Sequence, residues 1–466
     1  MRDIMGVGPP RLFVATFSLR PLMPATSPRH RFFVWTIGCQ MNKADGERIS
    51  RELIGAGHLP VDNLADASTI IVNGCAVRDN ADRKVWGMLG LLQGAKRRRP
   101  ELLVGLTGCT VHADRTELAP HLGPVDVLFD TLNAEPLIAR MAQQVQGTAG
   151  HEDNEAVPLP GAGAISRYVN VIYGCDKGCT YCIVPFRRGA QRSRPLNEIA
   201  AEARRFTDEG AREIVLVGQI VNAYGMDLNR QRLPDVLAAM DAIPEIDRVR
   251  FVTAHPQFMT EDLAIAMREL PSVCEEINLP AQSGDDTTLR RMARGYDTAR
   301  FRDTVDMLRS EVRNVAVTTD IIVGFCGETA AQFENSRRLV EDLRFDQVHV
   351  AAFSRRDGTM AANWEDDVPS DEKLRRLHSI EHVQTPIGRE INDKLIGTTT
   401  AVLLESLEAG KAPGRPPTWR GRTRTNKLVF IPDAPDMAAG QTVTVHVTEA
   451  TPWSLRGDAR MALHPT

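Results

Sequence analysis

The run Cys175-x3-Cys179-x2-Cys182, inside YGCDKGCTYC, constrains this chain more than any other feature. Thiolates at that spacing come from one loop and can hold three irons of a four-iron cube, whose usual set is four cysteines. No fourth cysteine lies nearby, so one iron is left open to a cofactor. Zinc fits the run poorly, because a structural zinc commonly takes four ligands in paired Cys-x2-Cys units. Eight cysteines in 466 residues are too sparse for a secreted disulfide scaffold.

A second group is spread over the N-terminal third. Cys39, Cys75 and Cys109 each follow an apolar run and a glycine, where a strand would end in a turn. They stand 36 and 34 residues apart, about one βαβ repeat each. Alone, each reads as a small buried residue. The threefold repetition instead favours three strand-end turns offering thiolates to another cluster. Cys274 and Cys326 have no partners at metal-like spacing and read as packing residues.

The remaining pattern predicts an α/β chain in three parts. Residues 1–30 are proline-broken, nearly free of acids, and read as a poorly ordered extension. Residues 31–145 alternate apolar runs with amphipathic stretches, as a parallel-sheet α/β domain does. Residues 146–164 are small, polar and proline-bearing, a linker. Residues 165–391 place strands near 168–173, 214–217, 249–253, 276–279, 315–323 and 347–353, with helices between, one of them capped by Asn197. That predicts a partial (βα)6 barrel with its chemistry at the C-terminal strand ends. Residues 394–457 carry short Val- and Thr-rich runs between turns, predicting a small antiparallel β-barrel.

A net charge of −4 gives no global attraction to nucleic acid, so any RNA site rests on local basic clusters. Three exist: 96–99, Arg187-Arg188 with Arg192 and Arg194, and Arg420, Arg422, Arg424 and Lys427. Each also reads as a solvated face. No apolar run approaches the ~18 residues of a membrane span, which predicts a cytoplasmic chain with no membrane partner, expected to be a monomer.

The motifs resemble the radical S-adenosylmethionine methylthiotransferases from about residue 31 onward. The resemblance rests on TIGCQMN at 36–42, GCAVR at 74–78, GCDKGCTYCIVPFRRG at 174–189, LPAQSG at 279–284, DIIVGFCGE at 320–328 and GRTRTNK at 421–427. The last looks like the family's RNA-binding TRAM barrel. GQIVNAYG at 218–225 and PSVCEEINLP at 271–280 are similar to the branch that acts on isopentenyladenosine in tRNA. Siblings acting on threonylcarbamoyladenosine or on a ribosomal-protein aspartate are the alternative. Ile220, Cys326 and Asp357 depart from the family pattern without touching a cluster cysteine.

The resemblance implies two four-iron clusters, on Cys175, Cys179 and Cys182 and on Cys39, Cys75 and Cys109. It also implies two S-adenosylmethionine molecules, one spent on a radical and one on methylating sulfur. The product is a methylthio group at C2 of an N6-isopentenyladenosine beside the anticodon, formed with electrons from a low-potential donor. Tyr181, Gln219, Asn222, Gln282, Ser283, Asp320 and Arg194 are expected to hold the cofactor. Arg420, Arg422, Arg424 and Lys427 are expected to grip RNA phosphates.

Overall fold

The computed structural model describes residues 30–76, 79–112, 115–144, 163–228, 231–409, 416–434 and 436–460. The expected extension lies outside them but for His30, and the linker but for residues 163 and 164.

The N-terminal domain is a five-stranded parallel sheet in the order β2-β1-β3-β4-β5. Its strands are β1 Arg31–Thr36, β2 Leu59–Pro60, β3 Thr69–Gly74, β4 Leu103–Gly108 and β5 Val127–Leu128. Ile71 packs on one face and Ile70 and Val72 on the other, so the central strand is buried on both faces. A 16-residue helix, α1 (Gln40–Gly55), follows β1 directly, with Cys39 at its N-cap.

The central domain carries six parallel strands: β6 Ser166–Asn170, β9 Glu213–Val217, β10 Arg248–Phe251, β11 Glu276–Asn278, β12 Ala316–Val323 and β13 Gln347–Ala352. They run as β10-β9-β6 and β11-β12-β13, joined between β10 and β11 by the Val249↔Val273 bridge. The single strand expected over 168–173 is divided. β6 ends at Asn170, and Ile172–Tyr173 (β7) turns away to pair antiparallel with Arg192–Ser193 (β8). The helix expected to be capped by Asn197 begins at Leu196 with Pro195 at its N-cap, which puts Asn197 in the first turn.

Side chains alternate across these strands. Ile214, Leu216, Val249 and Phe251 join the core beneath the surrounding helices. Val215 and Val217 face the opposite way and meet Met41 and Ala44 of α1, with Tyr168, Tyr173 and Val252 alongside. A helix of the N-terminal domain thus covers the concave face of the half-barrel. Ion pairs flank it: Arg51 with Glu209, and the fully buried Arg167 with Glu47 at 3.2 Å and Glu209 at 3.3 Å.

The C-terminal domain is a closed five-stranded barrel, β14-β15-β16-β18-β17. Its strands are β14 Thr399–Glu408, β15 Thr418–Thr423, β16 Leu428–Pro432, β17 Thr442–Ala450 and β18 Ser454–Arg460. The β15–β16 turn docks at the N-terminal strand ends of the half-barrel. Arg250 donates to Glu213 at 2.7 Å and to the carbonyls of Thr423 and Arg424, each at 2.7 Å. Arg248 donates to the Arg422 carbonyl at 2.6 Å. Arg424 in turn pairs with Glu275, and Lys427 with Asp346, both at 2.8 Å.

Removing Arg250 would strand Glu213 and Glu276 in a buried seam. Arg250→Met is expected to destabilise the fold by about 3–5 kcal/mol. Arg420→Ala, at a part-exposed pair, is expected to cost under about 1 kcal/mol. Urea unfolding midpoints of the two variants measure the difference.

Candidate active site

The Cys175 loop leaves β7 through Gly174, at φ +68°. A Cβ there would lie 2.0 Å from the Ala190 carbonyl oxygen, so the close return of the loop requires glycine. The Cys175 amide donates to Gly189 O at 3.0 Å, and the Cys182 amide to Cys179 O at 3.0 Å. Thr180 ties the loop outward, its amide to Met292 O at 3.1 Å and its carbonyl to the Ala361 amide at 2.8 Å. The loop is therefore set before any ligand arrives.

The N-terminal turns are stacked as tightly. Gly38 has φ +128°, and a Cβ on it would stand 2.6 Å from Cβ of Cys75. Asn42 joins the first two turns, its amide donating to Ile37 O and Gly74 O, both at 2.9 Å. Cys109 follows β4 at the same edge.

The two cysteine groups meet. One cavity of about 290 Å³ is lined by Cys175, Cys179 and Cys182 and also by Cys39 and Cys109. A second, of about 390 Å³, lies against the triad loop and is bordered by the exposed Phe186 and Met360. The thiols ring these spaces without converging on a point. Among the described residues, no three His, Cys, Asp or Glu side chains are grouped as a single metal ion requires. A cube that takes thiolates at its corners suits such a spread better than one ion. Burial pushes the Cys182 thiol up to about 12, with Cys179 and Cys175 adding to the effect, and burial raises Cys109 and Cys175. Thiols so placed give up their protons to a cation, which is the donor set iron needs.

Lys177, Arg188, His255 and Arg294 edge the cavity. Arg294, 6% exposed, donates to Sγ of Cys179 at 3.3 Å and to the hydroxyl of Tyr181 at 3.4 Å. His255 is driven down to about 2 by burial and by the charges of Arg294 and Lys177, so its ring is neutral. Its Nδ1 accepts from the Gln257 amide at 3.2 Å, which leaves the proton on Nε2. Nε2 of His255 and Oε1 of Gln219 have no hydrogen-bond partner among the described residues, and both residues line the cavity. Thr253 and Gln282, also in its wall, hold φ of 68° and 67°. Non-glycine residues in that region store strain of the kind found at functional sites.

Comparison with known proteins fits this geometry. Residues 169–340 match the radical SAM superfamily, 31–130 match "Uncharacterized protein family UPF0004", and 393–459 match the TRAM domain. A tRNA-2-methylthio-N(6)-dimethylallyladenosine synthase of Roseiflexus sp. is 42% identical over 93% of this chain and 90% of its own length. Those of Herpetosiphon aurantiacus and Chloroflexus aurantiacus are 41% and 40% identical, over 92% and 94% of this chain and 97% and 93% of theirs. The chain belongs to the tRNA-2-methylthio-N(6)-dimethylallyladenosine synthase family. Among solved structures, the radical S-adenosylmethionine methyltransferase TsrM from Kitasatospora setae superposes with a TM-score of 0.54 at 12% identity. It covers 72% of this chain and 74% of its own, a likeness of fold alone. Membership in this family implies a four-iron cluster and S-adenosylmethionine.

Three of the residues expected to hold the cofactor, Tyr181, Gln219 and Gln282, line the cavity. Four do not. Asn222 is spent on the backbone of His255, at 2.8 and 3.0 Å. Ser283 meets Ser336 at 3.3 Å, and Asp320 accepts from Asn278 at 3.1 Å on the concave face. Arg194 pairs with Glu202 at 2.6 Å. The basic cluster of the C-terminal barrel is also committed. Arg424 and Lys427 belong to the seam, while Arg420 and Arg422 share Glu405 at 3.0 and 3.1 Å. Asn42, Arg188, His255 and Arg294 were not singled out as site residues by the sequence. Asn42 and Arg188 lie inside the motifs that carry the cysteines, whereas His255 and Arg294 lie in none of the quoted motifs and had no sequence signal.

Gly174→Ala must displace the Ala190 carbonyl and occupy a left-handed φ. It is expected to cost about 1–3 kcal/mol locally and to misplace Cys175. The check is the visible absorption of the anaerobically reconstituted protein, expected to fall at unchanged far-ultraviolet dichroism.

Proposed function

We propose that this chain is a tRNA methylthiotransferase that places a methylthio group on C2 of N6-isopentenyladenosine next to the anticodon. The observation that carries the reading is the shared cavity, with Cys175, Cys179 and Cys182 and Cys39 and Cys109 in its walls. Cys175, Cys179 and Cys182 would hold one four-iron cluster, and Cys39, Cys75 and Cys109 a second. With two S-adenosylmethionine molecules, such clusters supply the radical and the sulfur that exchange an aromatic C–H for C–S–CH3, chemistry beyond acid–base side chains.

The chain's own residues bind, orient and exclude water. Tyr181, Gln219, Gln282 and the neutral His255 offer an aromatic face, acceptors and donors toward an adenosyl group. Arg294 is a buried cation beside Cys179 and suits a carboxylate. The target base must leave its stack to enter, and an anticodon-loop base is already single-stranded, which lowers that cost. Arg420 and Arg422 are about two-fifths exposed and can exchange Glu405 for phosphate, so tRNA affinity should fall as salt rises. The setting is the cytoplasm, the working form a monomer, and the reductant a low-potential one-electron donor. The names of the relatives favour this substrate over threonylcarbamoyladenosine or a ribosomal protein.

Cys75→Ala is expected to keep 5′-deoxyadenosine formation and abolish methylthiolation, both measured by mass spectrometry of single-turnover reactions. The reading fails if the variant methylthiolates tRNA at the wild-type rate. It fails equally if the oxygen-protected wild type binds about four irons per chain instead of about eight.

A further inference from the structure

Arg188 joins two sites that the chain keeps 79 residues apart. It closes the short helix Val184–Arg188, six positions beyond Cys182, in the loop that carries the first cysteine group. Its side chain, 9% exposed, leaves that loop and enters the N-terminal domain. Nε donates to Sγ of Cys109 at 3.0 Å. Nη2 donates to Oδ1 of Asn42 at 2.7 Å and to Oδ2 of Asp45 at 3.0 Å.

Each of those partners leads to another turn. Oδ1 of Asn42 lies 3.9 Å from Sγ of Cys39, and its amide nitrogen holds the carbonyl of Gly74, the residue before Cys75. Asp45 is fully buried, and its partners among the described residues, Arg188 and Asn170, both belong to the central domain. One guanidinium therefore touches a thiol of one turn directly and the other two turns through a single asparagine. Only a planar fork with several donors can do this, and a lysine ammonium cannot reproduce it.

We propose that Arg188 is a positioning residue that assembles the second cysteine group, bringing Cys39, Cys75 and Cys109 into register only when the central domain is docked on the N-terminal one. The inference rests on the two-group reading above, and its test separates the two. In the cluster-free full-length chain, alkylation by iodoacetamide is mapped by mass spectrometry, with the buried Cys274 as internal control. Losing Arg188 removes a cation that favours the Cys109 thiolate, but it also frees a turn that keeps Cys109 only 2% exposed. Exposure should dominate, so Cys109 in Arg188→Met should react about tenfold faster than in wild type, with Cys274 unchanged. Arg188→Lys, which keeps the charge and loses the fork, should fall between the two. After anaerobic reconstitution, Arg188→Met should hold about half the iron of the wild type. Unchanged Cys109 reactivity together with unchanged iron overturns the proposal. So does a parallel rise at Cys274 in both variants, since the arginine would then be holding the whole fold. A wild type with only about four irons counts against the two-cluster reading, and the alkylation result still decides the role of Arg188.

Discussion

The concave face of the half-barrel is covered by a helix from another domain, and the rest of the architecture depends on that contact. Six strands do not close as eight do, so Val215, Val217 and Tyr168 would face water. α1 brings Met41 and Ala44 to them. Because Cys39 is the N-cap of α1, seating the helix also fixes where the second cysteine group begins. Packing and chemistry are therefore set by one event. Asp45 in α1 carries the same logic, since its buried carboxylate finds both partners in the central domain.

The opposite end of the half-barrel is organised by charge. Barrel interiors of this kind are usually filled by layers of branched apolar residues. Here Glu213, Arg248, Arg250 and Glu276 occupy those positions, and the β15–β16 turn lays its carbonyls on the two arginines. Such a network contributes little net stability but allows one register. It fixes the C-terminal barrel at the N-terminal strand ends, whereas the cavity opens at the C-terminal ends. A five-residue strand such as β9 is roughly 17 Å long. Arg420 and Arg422 therefore stand at the far end of the half-barrel from the cavity.

How much of this was legible followed from range. The cysteine groups were readable because their spacing is covalent and their turns are marked by glycine. The three-part architecture was readable because hydrophobic periodicity reports local structure. What was not legible depended on partners distant in sequence. Arg424 and Lys427 look like a basic strip, yet their carboxylates lie at Glu275 and Asp346, in the central domain. Asn222 looks like a ligand donor, yet it serves the backbone of His255, 33 residues away. Arg188 looks like one more solvated arginine, and nothing in the linear sequence announces Cys109 as its acceptor. Linear charge density shows where cations are, and only the fold shows which of them remain free.

The same distinction sorts the departures from the family pattern. Ile220 is buried against Cys175 and Ala223, and Cys326 against Phe325, Phe353 and Ala361 in the cluster that backs Tyr181. Ile220 packs directly on the triad loop, and Cys326 sits behind it, its thiol also donating to Ala361 O at 4.0 Å. Dispersion and burial of this kind set where a loop sits and leave its proton chemistry untouched. Asp357 is 90% exposed and stands 3.8 Å from Arg355, a pair too well solvated to direct the chain. The groups that act on the thiols electrostatically, Arg188 at Cys109 and Arg294 at Cys179, are in direct contact with sulfur and lie outside these departures. Variation in this chain therefore falls on the packing behind the triad loop and leaves the two buried arginines that face the thiols unchanged.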